Sequence, residues 1–400
     1  MLIDIGVRRE KDNMEFEKAL NKYKNLGQEI LDWMNEHPEI SGNERKTCEF
    51  LTDILKKQGY KITSPRARMK YSFYATKEEK AEFKLPKVAI ICEYDAMPEI
   101  GHGCGHSASC AAGIICALAI EKAYPDFPFQ IDIVGTPDEE VSGGKIKMME
   151  HGAFDEYEFA IVIQANSKNQ PYFRTLASSD MLINFYGKQA HASINPWEGV
   201  NALNGVQLFF HALGMLRLNL KPGDDVQGVI LDGGKIPNVI PRKATAYVYL
   251  RARTINRLLE LKRKVEKCAE GCAIAVENKF DYSQKNPDYA EVFVGDTEKA
   301  VVCEVMNELK LNWSYADEPR GSSDIGNLDT ILPVFTPVIS TGQEDIQLYS
   351  SEFAELMKGK EGTDTMLTGA KVMGKIIEKI AFNPEILRKI KKEHSEYRNQ

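Results

Sequence analysis

Apolar positions change their spacing along the chain, and each change marks a different kind of element. From Phe16 through Leu20, Tyr23, Ile30 and Trp33 they recur at three, four or seven residues, which predicts a helix with one buried face. After the turn HPEISGN, Asn43 is expected to cap a second helix that runs to Gly59. The runs KVAIICEYD, QIDIVGT and FAIVIQA are apolar on both faces, as buried parallel strands between helices are. The longest apolar run, Ala108 to Ile120, is too short to span a membrane and reads as a buried helix.

From Ser178 to Ser283 the texture differs. MLINFYGK, VQGVILDG and TAYVYLRAR alternate apolar with polar, the pattern of half-exposed antiparallel strands. Helical stretches at Gly199–Leu218 and Asn256–Cys272 separate them, giving a β-α-β-β-α-β order. Beyond this region PVFTPVIS is again a buried strand. Met366, Ala370, Met373, Ile377 and Ile380 then form an apolar helical stripe, with Pro384 past its end. The expected fold is α/β: a mixed sheet flanked by helices, built from residues 1–177 and 284–400, with an α+β domain inserted at residues 178–283.

Composition narrows the classes of function. A chain of 400 residues that is 43% hydrophobic and 27% charged is not disordered in bulk. Its net charge of −7 gives no reason to expect nucleic acid as a partner. The basic cluster Arg388, Lys389, Lys391 and Lys392 reads as a solvated helix end. The opening MLIDIGVRREKD lacks the apolar stretch of a signal peptide, and eight cysteines are too few for a disulfide scaffold. A soluble protein of a reducing cytoplasm, without membrane contact, is expected. In that setting a conspicuous cysteine points to metal binding or catalysis.

The densest candidate chemistry lies in CEYDAMPEIGHGCGHS, Cys92 to Ser107. A buried strand ends in Asp95, and a glycine-rich loop then carries His102, Cys104 and His106. A thiolate and an imidazole two residues apart suit zinc or another transition metal, and Asp95 is placed to orient a ligand. A glycine-rich turn with incidental histidines is the plain alternative, but three donors within five residues outweigh it. In IVGTPDEEVSGG, Glu139 and Glu140 follow a buried strand, where open α/β sheets build their sites. One carboxylate can bind an ion while its neighbour acts as general base. An acidic solvated loop would look the same in isolation. His191 in GKQAHASINPWEGVNA reads as structural when taken alone. Asn238 in KIPNVIP, Arg251 in YLRAR and the GSSD stretch Gly321 to Asp324 are weaker candidates, the first two suited to a substrate carboxylate. Cys268 and Cys272 read as core, and Glu344 and Asp345 as solvated.

Taken together, these segments resemble the aminoacylase and carboxypeptidase-type dimetal amidohydrolases. Within that family the chain looks most like the branch of β-alanyl-lysine dipeptidases and aminobenzoyl-glutamate hydrolase. HPEISGNE, CEYDAMPEIGHGCGHS, GTPDEE, GKIKMMEHGAFD, AHASINPWEGVNAL, IPNVIP, YLRAR and GSSDIGN occur in family order across nearly the whole chain. The resemblance implies a metal-ligand pair at Cys104 and His106, a general base at Glu139 and an adjacent ligand at Glu140. It implies an oxyanion-stabilising lid histidine at His191, substrate contacts at Asn238, Arg251 and Ser323, and a homodimer formed through the inserted domain.

Two positions depart from the family pattern. A ligand histidine is expected where Gln164 stands in VIQAN, and another where Tyr349 stands in LYSSEFAE. Glutamine is a weak donor for zinc, and a tyrosine phenol, with an ordinary pKa of about 10, is protonated at neutral pH. The surviving ligands Cys104, His106 and Glu140 are then expected to hold one divalent ion, zinc or manganese, or none. Three functions stay open. The first is hydrolysis of the amide bond of a dipeptide or N-acyl amino acid, a small-molecule substrate. The second is metal-independent acyl transfer or amide formation through Cys104. The third is ligand binding without catalysis.

Overall fold

The computed structural model describes residues 2–77, 85–315, 318–319 and 321–399, with side chains from Glu15 onward. The side chains of the opening MLIDIGVRREKD therefore lie outside the described residues. The chain forms two compact units. The first comprises the residues up to Arg174 together with Val292–Pro319 and the residues from Asn327 on; the second is Thr175–Glu291 with the short segment ending at Gly326.

The first unit opens with helices α1 (Leu2–Glu36) and α2 (Arg45–Lys57) and strands β1 (Lys61–Thr63) and β2 (Phe73–Thr76). Strand β3 (Lys87–Glu93), helix α3 (His106–Ala123), strand β4 (Gln130–Thr136), the short helices α4 (Glu139–Ser142) and α5 (Gly144–Met149), and strands β5 (Tyr157–Ile161) and β6 (Gln164–Asn166) follow. Phe16, Leu20 and Ile30 of α1 are buried, as the periodicity predicts. Asn43 does not cap α2. Glu44 takes the N-cap position, and its side chain bonds elsewhere, to the backbone N–H groups of Gly42 and Asp138.

Beyond Glu291 come helix α8 (Asp296–Glu308), the single turn α9 (Ile325–Leu328), which begins in the short segment of the second unit, strands β11 (Val334–Phe335) and β12 (Val338–Ser340), and helices α10 (Ser351–Lys358), α11 (Lys360–Ala381) and α12 (Pro384–Arg398). The main sheet has the order β1-β2-β4-β3-β5-β11. β3 pairs parallel with β4 and β5, and β11 with β5, while β1 and β2 run antiparallel, so the sheet is mixed. FAIVIQA and PVFTPVIS each split in two, and β6 and β12 leave the main sheet to form a parallel pair of their own. Helix α3 is buried along almost its whole length against β3, α1 and α11, which explains why its sequence shows no polar face. Pro384 does more than close α11, since it occupies the first turn of α12.

The second unit has strands β7 (Ala177–Tyr186), β8 (Asp225–Asp232), β9 (Lys243–Ala252) and β10 (Lys279–Ser283), with helices α6 (Ala202–Arg217) and α7 (Ile255–Ala275). All pairings are antiparallel in the order β10-β7-β9-β8. The core of this unit comprises Ile183, Phe185, Phe209, Leu213, Val248 and Leu258 among others. β8 is an edge strand whose Val229, Ile230 and Leu231 stay exposed. Among the described residues no helix is long and apolar enough to cross a membrane.

Candidate functional site

The candidate residues of the two strand-end motifs gather at the carboxyl ends of β3 and β4. β3 ends in Glu93, and Asp95 follows two residues on; both carboxylates are fully buried. The glycine-rich loop then turns into α3, whose first residue is His106. Gly105 permits that turn: its φ is +84°, and a Cβ there would lie 2.5 Å from the Cβ of Ala165. On the neighbouring strand, Asp138 adopts a left-handed conformation after β4 and launches α4 with Glu139 and Glu140. Gly144 lets the chain fold back beneath this turn, because a Cβ there would meet the Pro137 carbonyl oxygen at 1.8 Å.

Asp95 ties these elements together. Its Oδ1 lies 3.1 Å from His106 Nδ1, and its Oδ2 accepts from the Ser41 hydroxyl at 2.7 Å and the Glu140 N–H at 2.9 Å. Burial alone would raise its pKa, but His106 and these donors outweigh it and hold the carboxyl well below the usual range. Glu44 clamps the same region from the other side, accepting at 2.8 Å from both the Gly42 and Asp138 N–H groups. Its burial dominates these bonds and raises its pKa to about 7.

Cys104, His106 and Glu140 bring Sγ, a ring nitrogen and a carboxylate oxygen within 4.8 Å of one another. A thiolate, an imidazole and a carboxylate form a donor set of the kind that holds a divalent transition-metal ion. Burial pushes the Cys104 thiol up to about 11, so at neutral pH Sγ keeps its proton unless a cation joins it. Burial also raises Glu140, reinforced by Asp95 and Glu93, which again favours a cation beside it. His102 is buried behind this set and held down to about 3 by burial and by His106, so it is a neutral ring.

The two departing positions also face this centre. Gln164 donates from Nε2 to Glu93 Oε2 at 3.2 Å. Tyr349 sits at a left-handed φ of +63°, and its N–H is bonded to the Gly103 carbonyl at 2.9 Å. The residue is 49% exposed, but its phenol lies close enough to Glu140 and Glu139 that desolvation and their charges raise it above its ordinary value. Neither side chain is a strong ligand for a second ion.

Sequence reasoning did not find Glu93 and Lys145. Glu93 is the one acidic residue of a strand that is otherwise apolar apart from its first position, a signal that was available. Lys145 Nζ lies 2.6 Å from Glu93 Oε1 with both side chains fully buried. Nothing in GGKIKMM marks this lysine as buried and its neighbour Lys147 as partly exposed.

The remaining candidates lie in the second unit. His191 is half-buried just after β7, and its Nδ1 is 3.3 Å from both the N–H and the hydroxyl of Ser193. Asn238 is exposed, and its carbonyl accepts from the Ala192 N–H at 2.9 Å, which fixes it next to His191 in the backbone. Arg251 lies over the Tyr249 ring and donates from Nη1 to the Ser322 hydroxyl at 2.9 Å. Ser323, beside that hydroxyl in the chain, is buried, and its Oγ accepts from the Ile325 N–H at 3.2 Å.

Residues 177–273 match a peptidase dimerisation domain family. The Xaa-Arg dipeptidase of Mus musculus is 32% identical over 330 residues, covering 80% of this chain and 76% of its own. One of the subunits of the p-aminobenzoyl-glutamate hydrolase of Escherichia coli is 28% identical, covering 63% of this chain and 57% of its own. The crystal structure of a Bacillus subtilis dinuclear metal binding peptidase from the M20 family superposes with a TM-score of 0.64 at 16% identity, covering 90% of this chain and 99% of that one.

Proposed function

We propose, since this chain belongs to the M20 peptidase family, that it hydrolyses the amide bond of a dipeptide or N-acyl amino acid with Glu139 as general base beside a one-ion centre. The convergence of Cys104, His106 and Glu140 next to Glu139 carries this reading. A divalent ion on those three donors supplies Lewis acidity toward the attacking water and the scissile carbonyl. Glu139 takes the proton of the water and delivers it to the leaving amine. Asp95 holds His106 in the orientation a ligand needs. His191 donates to the developing oxyanion, and Asn238, Arg251 and Ser323 hold the substrate carboxylate. Gln164 and Tyr349 favour one ion over two. The high thiol pKa of Cys104 favours its service as a ligand over a nucleophilic role.

The exposed apolar residues of edge strand β8 and the dimerisation-domain match support a homodimer through the second unit. The partner's His191 then completes each centre. The name of the mouse relative directs the first substrates to dipeptides ending in arginine. The test measures amine release by the zinc- or manganese-loaded protein from dipeptides with C-terminal arginine or lysine and from N-acyl amino acids. Glu139→Gln is expected to lower kcat by about 10²–10⁴-fold with ion content unchanged. Absence of release from every substrate, or an undiminished rate in Glu139→Gln, overturns the proposal.

A further inference from the structure

One charged pair at the carboxyl end of β3, Glu93 with Lys145, is not used by the hydrolytic scheme. Lys145, the second residue of α5, is completely enclosed, and its ammonium is 2.6 Å from Oε1 of the equally enclosed Glu93. The other oxygen of Glu93 is shared between Gln164 Nε2 at 3.2 Å and His106 Nε2 at 3.4 Å. Carboxylate oxygens of Glu93 and Glu139 also approach within 4.8 Å of one another. Two carboxylates so close, one of them fully buried, call for a cation, and a tethered one is already in contact with the buried carboxylate.

We propose that Lys145 is the resident cation of this half of the centre, excluding a second divalent ion and leaving one ion per chain. The inference rests on the one-ion reading of Cys104, His106 and Glu140. Its further step comes from Gln164. That side chain stands where the family's ligand histidine falls, and it is turned onto the Glu93–Lys145 pair. An ion recruited to that position would sit beside a fixed ammonium, and like charges in a buried setting repel strongly. The loss of the two histidines and the presence of the buried lysine thus act in the same direction.

The test counts ions rather than turnover. Chelator-treated protein is loaded with Mn(II) and dialysed, its metal is counted by mass spectrometry, and its electron paramagnetic resonance spectrum is read for spin coupling. The wild type is expected to hold one uncoupled ion per chain. Gln164→His with Tyr349→His restores both imidazoles but keeps Lys145, and is expected to stay at one. Adding Lys145→Met to that pair is expected to give two coupled ions. A second ion in the double variant, or a single ion in the triple variant, overturns the proposal. Two ions in the wild type overturn it together with the one-ion reading. No ion in the wild type overturns that reading alone, and the double and triple variants still decide the role of Lys145. If the triple variant does not fold, Lys145→Gln, which keeps a hydrogen-bond donor for Glu93, takes its place with the same two outcomes.

Discussion

Replacing Glu44 with glutamine should remove a pH dependence of stability that this residue builds into the fold. Glu44 is fully buried, and its Oε1 accepts two backbone N–H bonds while Oε2 finds no hydrogen-bond partner among the described residues. Burial outweighs the two bonds, and its pKa rises from 4.5 to about 7. A raised carboxyl pKa means that the fold prefers the protonated form. Its contribution is therefore complete below pH ~4.5 and is lost as the pH rises through about 7. At 1.36 kcal/mol per unit, the loss between those limits is about 3 kcal/mol. Glutamine keeps an oxygen for the Gly42 and Asp138 N–H groups and never ionises. In chelator-containing buffer, urea unfolding followed by circular dichroism should find the variant within about 1 kcal/mol of wild type at pH 5. At pH 8 it should be more stable by about 3 kcal/mol. Parallel stability curves across that window would refute the reasoning, because they would mean that the two N–H groups keep Glu44 ionised throughout.

Two further outcomes follow from the site and from the second unit. Asp95→Asn removes the charge that orients His106 and should weaken ion affinity by about 10–100-fold in competition with a graded chelator; unchanged affinity would show that Asp95 organises the backbone only. Ile230→Lys places a charge on the exposed edge strand β8 and should turn a dimer into a monomer by light scattering, with hydrolysis lost alongside. A variant that stays dimeric would remove β8 from the interface.

How much of this could be read from the residues depends on the kind of interaction. The strands KVAIICEYD and QIDIVGT and the helix at Ala108–Ile120 declare themselves because burial on both faces leaves few polar positions, a property of local sequence. Cys104, His106, Glu139 and Glu140 were visible because the ends of those strands are where a site must form. Glu44 and Lys145 were not visible. A lysine is usually exposed, and only the approach of Glu93 from a different strand makes its burial tolerable. The misreading of Asn43 has the same origin: a cap is a local expectation, whereas Glu44 takes the position and spends its side chain on Asp138, 94 residues away.

The same distinction applies to Gln164 and Tyr349, whose places are set by backbone contacts. Gln164 is fixed by its backbone N–H, which donates to the Pro337 carbonyl at 3.0 Å, and by the parallel pairing of β6 with β12. Tyr349 is fixed by its N–H to Gly103 at 2.9 Å, and Ser350 next to it caps α10 by accepting from the Phe353 N–H. The left-handed backbone of Tyr349 costs on the order of 1–3 kcal/mol in a bulky residue. That cost attaches to the position, since a histidine there would share the same φ. None of these anchors involves the side chains of residues 164 and 349. A change of side chain at either place therefore leaves these backbone anchors in place, while at 164 it also alters the hydrogen bond from Nε2 to Glu93.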